Sequence, residues 1–516
     1  MNRTHKSVNL FENKEIRAAL YLLLAGFLLM LFATRSSFLY PCNDWNDANS
    51  YFSMGKALFN GKMPYRDVFD QKGPYLYFLY GLAYLVSHTT FAGVFILEVI
   101  GAFLDLLGIY YILRLYLKRN TALFFSPLTL AVAVSSKSFY WGGSAEEICY
   151  PLLVWGLYLS IEYFKNSYPQ KPMGFKVIFG GGLLAGVAAN IKFTVLGFFF
   201  AWMMCVAFSF LVRKDFFGAV KGCMVFLLGM AVPFIPWLIY FGANHGLYEW
   251  YWGYVHINVF IYSDLNEKGP GLFERVYILS KLLYWLIRDN LIYFAFLIPG
   301  VLLFLCLGKK KWLERFHLLA LCFFLFLGIY VGGSSLPYYA LPLSVFTVFG
   351  FAYLGRMWEY FMGKLVIKGN RSDLLSGGLR HQGALVFVLA ACVGIIWTCS
   401  MNIPHMREKK EDIFLYKFRE IVEKEENPTL LNIGCLDAGL YTVCDIVPTC
   451  RWFQTQTLAI DDVQKEQERY IREGQTDFVL ARNDYPDVIW EKYELAAEEP
   501  WRQGELEFTY YLFRKK

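Results

Sequence analysis

Asp44, Asp47, Arg66, Asp67, Asp70 and Lys72 fall within one stretch, NDWNDANSYFSMGKALFNGKMPYRDVFDQKGPY (Asn43–Tyr75). A carboxylate can remove a proton from a hydroxyl or an amine, and a lysine can hold an anion. Each residue also has a structural reading: Asp47 as a helix cap, Arg66 and Asp67 as a solvated ion pair, Lys72 as a side chain reaching lipid phosphates. Their density argues for chemistry, because ionisable groups at membrane depth are costly and usually functional.

The elements around them are apolar. The chain has 516 residues, 56% hydrophobic, 19% aromatic and 18% charged, and its apolar runs repeatedly reach the length that crosses a bilayer as a helix. This predicts about eleven spans, at 17–34, 91–116, 121–136, 149–165, 176–190, 194–212, 219–240, 282–307, 316–332, 338–356 and 383–401. Lys and Arg gather at Arg3, Lys6 and Lys14, at Arg114 to Arg119, at Arg213, at Lys309 to Arg315, and from Arg356 to Arg380. These ends are expected to face the cytoplasm, with the N-terminus inside and residues 36–90, 137–148, 241–281, 333–337 and everything after Met401 outside. The first span is expected to stay as an anchor, since no cleavage site follows it. The net charge of +6 is accounted for by this bias and by anionic lipid, so it implies no nucleic-acid partner.

Two amphipathic helices are expected in the first outer loop. Asp47 caps one that runs to about Asn60 and ends at Gly61, and the second begins near Pro74 and lies in the headgroup layer. Residues 1–401 thus form a membrane domain and 402–516 a small soluble α/β domain. In the latter, Thr429–Gly434, Asp477–Ala481 and Phe508–Phe513 read as strands and Asp461–Glu473 as a helix. NIGCLDAG (Asn432–Gly439) lacks nucleotide-loop spacing and suits a docking or acceptor-orienting role better. Cys435, Cys444 and Cys450 leave a disulfide open but have no zinc-site spacing.

Three patterns, D-x-x-x-Y from Asp47 to Tyr51, G-x-x-P-Y-R-D from Gly61 to Asp67 and D-x-K-G-P from Asp70 to Pro74, resemble the first outer loop of the GT-C superfamily. The branch is that of protein O-mannosyltransferase-like and aminoarabinose-transferase-like enzymes. WGGSAEE (Trp141–Glu147), AANIKFT around Lys192 and GGSSLPYYALP (Gly332–Pro342) extend the resemblance along the first 400 residues. Ala48 replaces a common second acid, Gly73 a proline, and Tyr338 a frequent histidine.

The resemblance implies a polytopic GT-C-like fold and an inverting glycosyltransferase. Such an enzyme uses a polyprenyl-phosphate sugar donor and passes the sugar to a glycan, lipid or protein acceptor at the outer face of the cytoplasmic membrane. In that chemistry Asp47 serves as base, with Asp44 as runner-up, and Lys72 holds the departing phosphate. Tyr65, Tyr339 and Arg275 are further candidates for donor phosphate or carrier lipid. Glu146 or Glu147 would meet the sugar, the acceptor or a divalent cation, against a reading as helix-terminal charges. The aromatic run Trp250–Asp264, with His256, fits carrier lipid or a plain interfacial helix. A non-catalytic scaffold, a flippase and a ligase using a carrier diphosphate remain as other readings.

Overall fold

The computed structural model describes residues 14–261, 271–332, 335–368, 377–457, 460–503 and 506–516. Arg3, Lys6, Asp264, Arg371 and residues 333–334 of the late motif lie outside the described residues. Helices occur at each of the eleven expected spans. Among the described residues six are long and apolar enough to cross a membrane by themselves: Lys14–Ala33, Ala92–Arg114, Phe193–Val212, Phe216–Ala243, Trp312–Tyr330 and Pro337–Lys364. A seventh is added if a bent pair is one span. The chain is a multi-pass membrane protein.

The difference from eleven has physical causes. The expected span 282–307 is broken, because Phe273–Asp289 and Leu291–Cys306 meet at 114°. The polar triplet Arg288-Asp289-Asn290 stands at the break, and the helix before it is largely exposed. The helices α5 (Arg119–Val134) and α7 (Phe175–Ala189) have only 16 and 15 residues. Between them α6 (Ala145–Glu162) carries Glu146, Glu147 and Glu162. It packs on α4 (Ala92–Arg114), which in turn packs on α1 (Lys14–Ala33), so its acids face protein rather than lipid.

Two short helices follow α1. In α2 (Asn46–Phe59) Asp47 sits inside the first turn and does not cap it; Trp45 precedes the helix without a side-chain cap. Gly61, at φ +78°, ends the helix as its position predicts. The second, α3 (Pro74–Val86), starts with Pro74 in its first turn and packs along α2.

The C-terminal part forms one four-stranded sheet from β1 (Leu430–Ile433), β2 (Phe478–Arg482), β3 (Tyr493–Gln503) and β4 (Leu506–Lys515). The order is β1-β2-β4-β3, with β1 and β2 parallel and the other pairs antiparallel. The helix Asp461–Glu473 supplies the crossover between the parallel strands. Strand β3 was not expected: its sequence YELAAEEPWRQ is charged because it lies at the sheet edge, where Pro500 is also tolerated. Cys435, Cys444 and Cys450 are all free thiols.

This sheet unit is bolted onto α2. Asp437 accepts a 2.5 Å hydrogen bond from Ser53, Thr442 donates to Asn49 at 2.9 Å, and Gln454 donates to Ser50 at 2.7 Å. Lys56 donates to the Tyr441 carbonyl at 2.9 Å. Every residue from Ala48 to Ala57 is consequently buried, which explains a helix with serines and a lysine on faces that solvent never reaches. The NIGCLDAG loop is the docking element its sequence predicts, since Asn46 also donates to the Leu436 carbonyl at 3.0 Å.

Candidate functional site

Asp47 lies in the first turn of α2, where the helix N-terminus favours an anion. The Tyr338 hydroxyl donates to its Oδ2 at 2.6 Å and that of Tyr51 at 3.3 Å. Among the described residues no hydrogen bond reaches Oδ1, so one oxygen is held and the other is available. Burial, then Asp47, Asp70 and Glu146, push the Tyr51 phenol well up, so it stays a neutral donor. The rings of Trp45 and Tyr338 meet edge to face at 4.8 Å, and Tyr140 stands 5.4 Å from Trp45.

Lys72 comes from the loop that links α2 to α3. Among the described residues its ammonium makes no hydrogen bond or ion pair. Burial works against its charge, but Asp70 and Asp47 outweigh that and hold its pKa above the ordinary value. Burial pushes the Asp70 carboxyl up, against the pull of Lys72 and of Tyr77, which donates to it at 2.8 Å.

A third strand of the site arrives from the turn after α7. Gly73 donates to the Ile191 carbonyl at 3.2 Å, and Tyr75 to the Asn190 carbonyl at 3.1 Å. A Cβ on residue 73 would stand 2.0 Å from the Asn190 oxygen. The glycine in place of a proline is thereby explained: proline has neither the space nor the N–H. This approach brings Lys192 in, where it is ion-paired with Glu146 and lies 3.9 Å from the ring centre of Tyr339.

Several sequence candidates are placed elsewhere. Asp44 is spent on structure: Arg35 is ion-paired with it, Trp141 Nε1 donates to Oδ1 at 2.8 Å and Trp501 Nε1 to Oδ2 at 3.1 Å. With Oδ1 shared by Arg35 and Trp141, Oδ2 held by Trp501 and 5% exposure, it is committed to structural contacts. Tyr65 is fully buried, and its hydroxyl donates to the Lys72 carbonyl at 2.7 Å, so it props the loop and does not meet a ligand. Glu147 accepts from Gly143 N at 2.8 Å while Ser144 caps Glu147 N at 3.0 Å, the helix-terminal arrangement weighed for it. Glu146 is the one of the pair that joins the cluster. Arg275 lies on the exposed helix Leu272–Asp289, outside the buried cluster.

Arg66 and Asp67 form the expected exposed ion pair at 2.8 Å, and the Arg66 hydrogen bond keeps the Asp67 carboxyl low. The run Tyr251–Ile261 buttresses the first loop, with Tyr254 donating to the Ala189 carbonyl at 2.6 Å and Asn258 to the Gln71 carbonyl at 2.7 Å. His256 stands 5.3 Å from Phe260 on that run.

Sequence reasoning gave no role to Lys192, Tyr338, Tyr51 or Asp70. Lys192 left a usable signal, a lysine at the end of an apolar helix after a buried asparagine. Tyr338 had been noted only as a departure, yet its hydroxyl occupies the hydrogen-bonding position on Asp47. Ala48, the other departure, is fully buried in the first turn of α2 beside Asp47. Among the described residues no group of three His, Cys, Asp or Glu side chains is placed to hold a metal ion. The cations of the cluster are Lys72 and the Glu146-paired Lys192.

The fold and site define a polytopic membrane protein of GT-C-like architecture, with its acid–lysine cluster under a docked sheet unit. The same fold is found in ArnT from Cupriavidus metallidurans bound to undecaprenyl phosphate, with a TM-score of 0.62, 12% identity, and 97% of this chain and 98% of that one covered. For ArnT of the same organism in the apo state the TM-score is 0.57, at 11% identity over 96% and 97% of the two chains. No family model and no curated protein matches the sequence.

Proposed function

We propose that the chain is an inverting glycosyltransferase that moves a sugar from a polyprenyl-phosphate carrier to an acceptor outside the cytoplasm. The observation that carries this reading is Asp47, with one oxygen held by Tyr338 and the other without a partner among the described residues, in the field of the Lys72 ammonium, which is likewise unpaired among them. The carrier class is supported by the undecaprenyl phosphate bound in the ArnT structure of the same fold. The acceptor hydroxyl or amine gives its proton to Asp47 as it attacks the anomeric carbon. The bond from that carbon to the phosphate oxygen breaks, the electron pair leaves with the phosphate, and Lys72 neutralises the charge that develops. Trp45, Tyr140 and Tyr338 offer ring faces for the sugar, and Glu146 with Lys192 borders them. The positive-inside bias puts this cluster on the outer face, with the C-terminal sheet unit outside as well.

The test is transfer of labelled sugar by the full-length protein in lipid from a panel of polyprenyl-phosphate and polyprenyl-diphosphate sugars. Turnover with a monophosphate donor, lost at least about a hundredfold in Lys72→Met, fits a cation that meets the leaving phosphate. Turnover with diphosphate donors alone would make the protein a ligase. None with any donor and a range of acceptors would leave the scaffold or flippase.

A further inference from the structure

Beside the transfer site, and separate from it, α4 and α6 enclose a second chamber of about 240 Å³ within the membrane domain. An engineered cavity of roughly 150 Å³ already admits benzene, so this one accepts a sizeable apolar group. Its wall is mostly hydrocarbon, with Leu97, Ile148, Leu152 and Val187 among the lining residues; the polar side chains on it are three acids, Glu98, Asp105 and Glu147, and Tyr150, whose hydroxyl accepts from Ser344 at 3.1 Å. Among the described residues no lysine, arginine or histidine lines it. Glu98 and Asp105 are 2% and 5% exposed, and Glu98 Oε2 and Asp105 Oδ1 find no hydrogen-bond partner among the described residues. The other oxygen of Glu98 accepts from Thr34 at 2.8 Å. Seven residues apart on one helix, Glu98 and Asp105 share a face about 10 Å apart along its axis, with Glu147 at the N-terminal end of α6.

Ile100 and Leu104, exposed on the membrane-spanning helix α4, rim the opening. An occupant therefore enters sideways from the hydrocarbon. Carboxyl groups with no cation in an apolar wall are costly when ionised, and a ligand that brings a positive charge removes that cost. The same wall repels phosphate, which separates this chamber from the lysine-bearing transfer site.

We propose that this chamber binds a membrane-borne amphiphile with an apolar chain and a protonated amine, the amine lying against Glu98 and Asp105. The assignment rests on charge complementarity and does not depend on sugar transfer. It is tested by photo-crosslinking the full-length protein in zwitterionic nanodiscs with a diazirine-tagged dodecylammonium and the matching dodecanol, mapping the labelled residues by mass spectrometry. The amine is expected to label 92–114 and 145–162 at least about tenfold more than the alcohol, a 1.4 kcal/mol preference. Glu98→Gln with Asp105→Asn should abolish the preference and leave alcohol labelling as it was. Gly101→Leu should block both probes, because a Cβ at this lining position meets only Pro151 Cγ at 4.0 Å and the larger side chain fills the space. This single substitution keeps the charges, so it tests the site even where the double variant fails to fold. Equal labelling by both probes, a preference that survives the double variant, or labelling confined to other helices would overturn the proposal.

Discussion

At Asp47 a carboxylate that the sequence offers as a base is held by the hydroxyl of Tyr51 one turn on and by that of Tyr338 far along the chain, and the variants that matter are those that separate holding from reacting. Tyr338→Phe removes the 2.6 Å donor but keeps the ring. A hydrogen bond to a charged group contributes about 1.5 kcal/mol or more, so kcat/KM should fall about tenfold. An unchanged kcat/KM would mean that the phenol is only packing. Lys72 and Lys192 balance the acids without a metal-ligand set, so dialysis against EDTA should leave sugar transfer within about twofold of untreated protein. A requirement for a divalent ion would demand ligands that the described residues do not place together. At this scale the first-loop cluster that holds Asp47 and Lys72 stands out in the sequence because its motif is local. The contacts of Lys192 with Glu146 and of Tyr338 with Asp47 do not, since only folding brings the end of α7 and the late motif onto these acids.

The loop between α2 and α3 sets Lys72 by pressing Gly73 onto the turn after α7. Gly73→Ala forces a Cβ to 2.0 Å from a backbone oxygen. It should cost more than about 2 kcal/mol, read as a lower thermal midpoint together with lost activity; a wild-type midpoint would show that the two backbones are free to part. Elements with one strong periodic signal were the readable ones, as with the Pro74 start of α3 and the Gly61 end of α2. The span at 282–307 was misread because Leu282 to Ile287 are apolar on a helix that turns away at Asn290, and hydropathy averages over such a bend. Strand β3 escaped for the opposite reason: an edge strand needs few apolar residues, and its glutamates look helical. Asp44 was read as chemistry because its partners Trp141 and Trp501 are 97 and 457 residues away.

Across the molecule, the sheet unit holds the helix that presents Asp47, and the contact carries its own pH dependence. Burial pushes the Asp437 carboxyl up to about 6 despite donors from Ser53 and Gly439. The folded state therefore binds a proton more tightly than the unfolded chain, whose carboxyl titrates near 4. Stability is full below about pH 4 and declines as the pH rises to about 6, by on the order of 3 kcal/mol. Thermal midpoints should fall across that window in the wild type and stay flatter in Asp437→Asn; identical slopes would remove Asp437 from the contact. Two chains at 12% identity share this whole-chain fold, so composition and span pattern conveyed the architecture, while the docking of the C-terminal unit on α2 depended on polar pairs that hydropathy cannot register. The most direct test of the account compares Asp47→Asn with Asp44→Asn for sugar transfer and thermal midpoint together. Asp47→Asn should lose at least about a hundredfold in transfer at an unchanged midpoint, as a missing base does. Asp44→Asn should lose about 3 kcal/mol or more of stability, because Arg35 is left buried and unpaired. Full transfer by a folded Asp47→Asn protein would contradict the account.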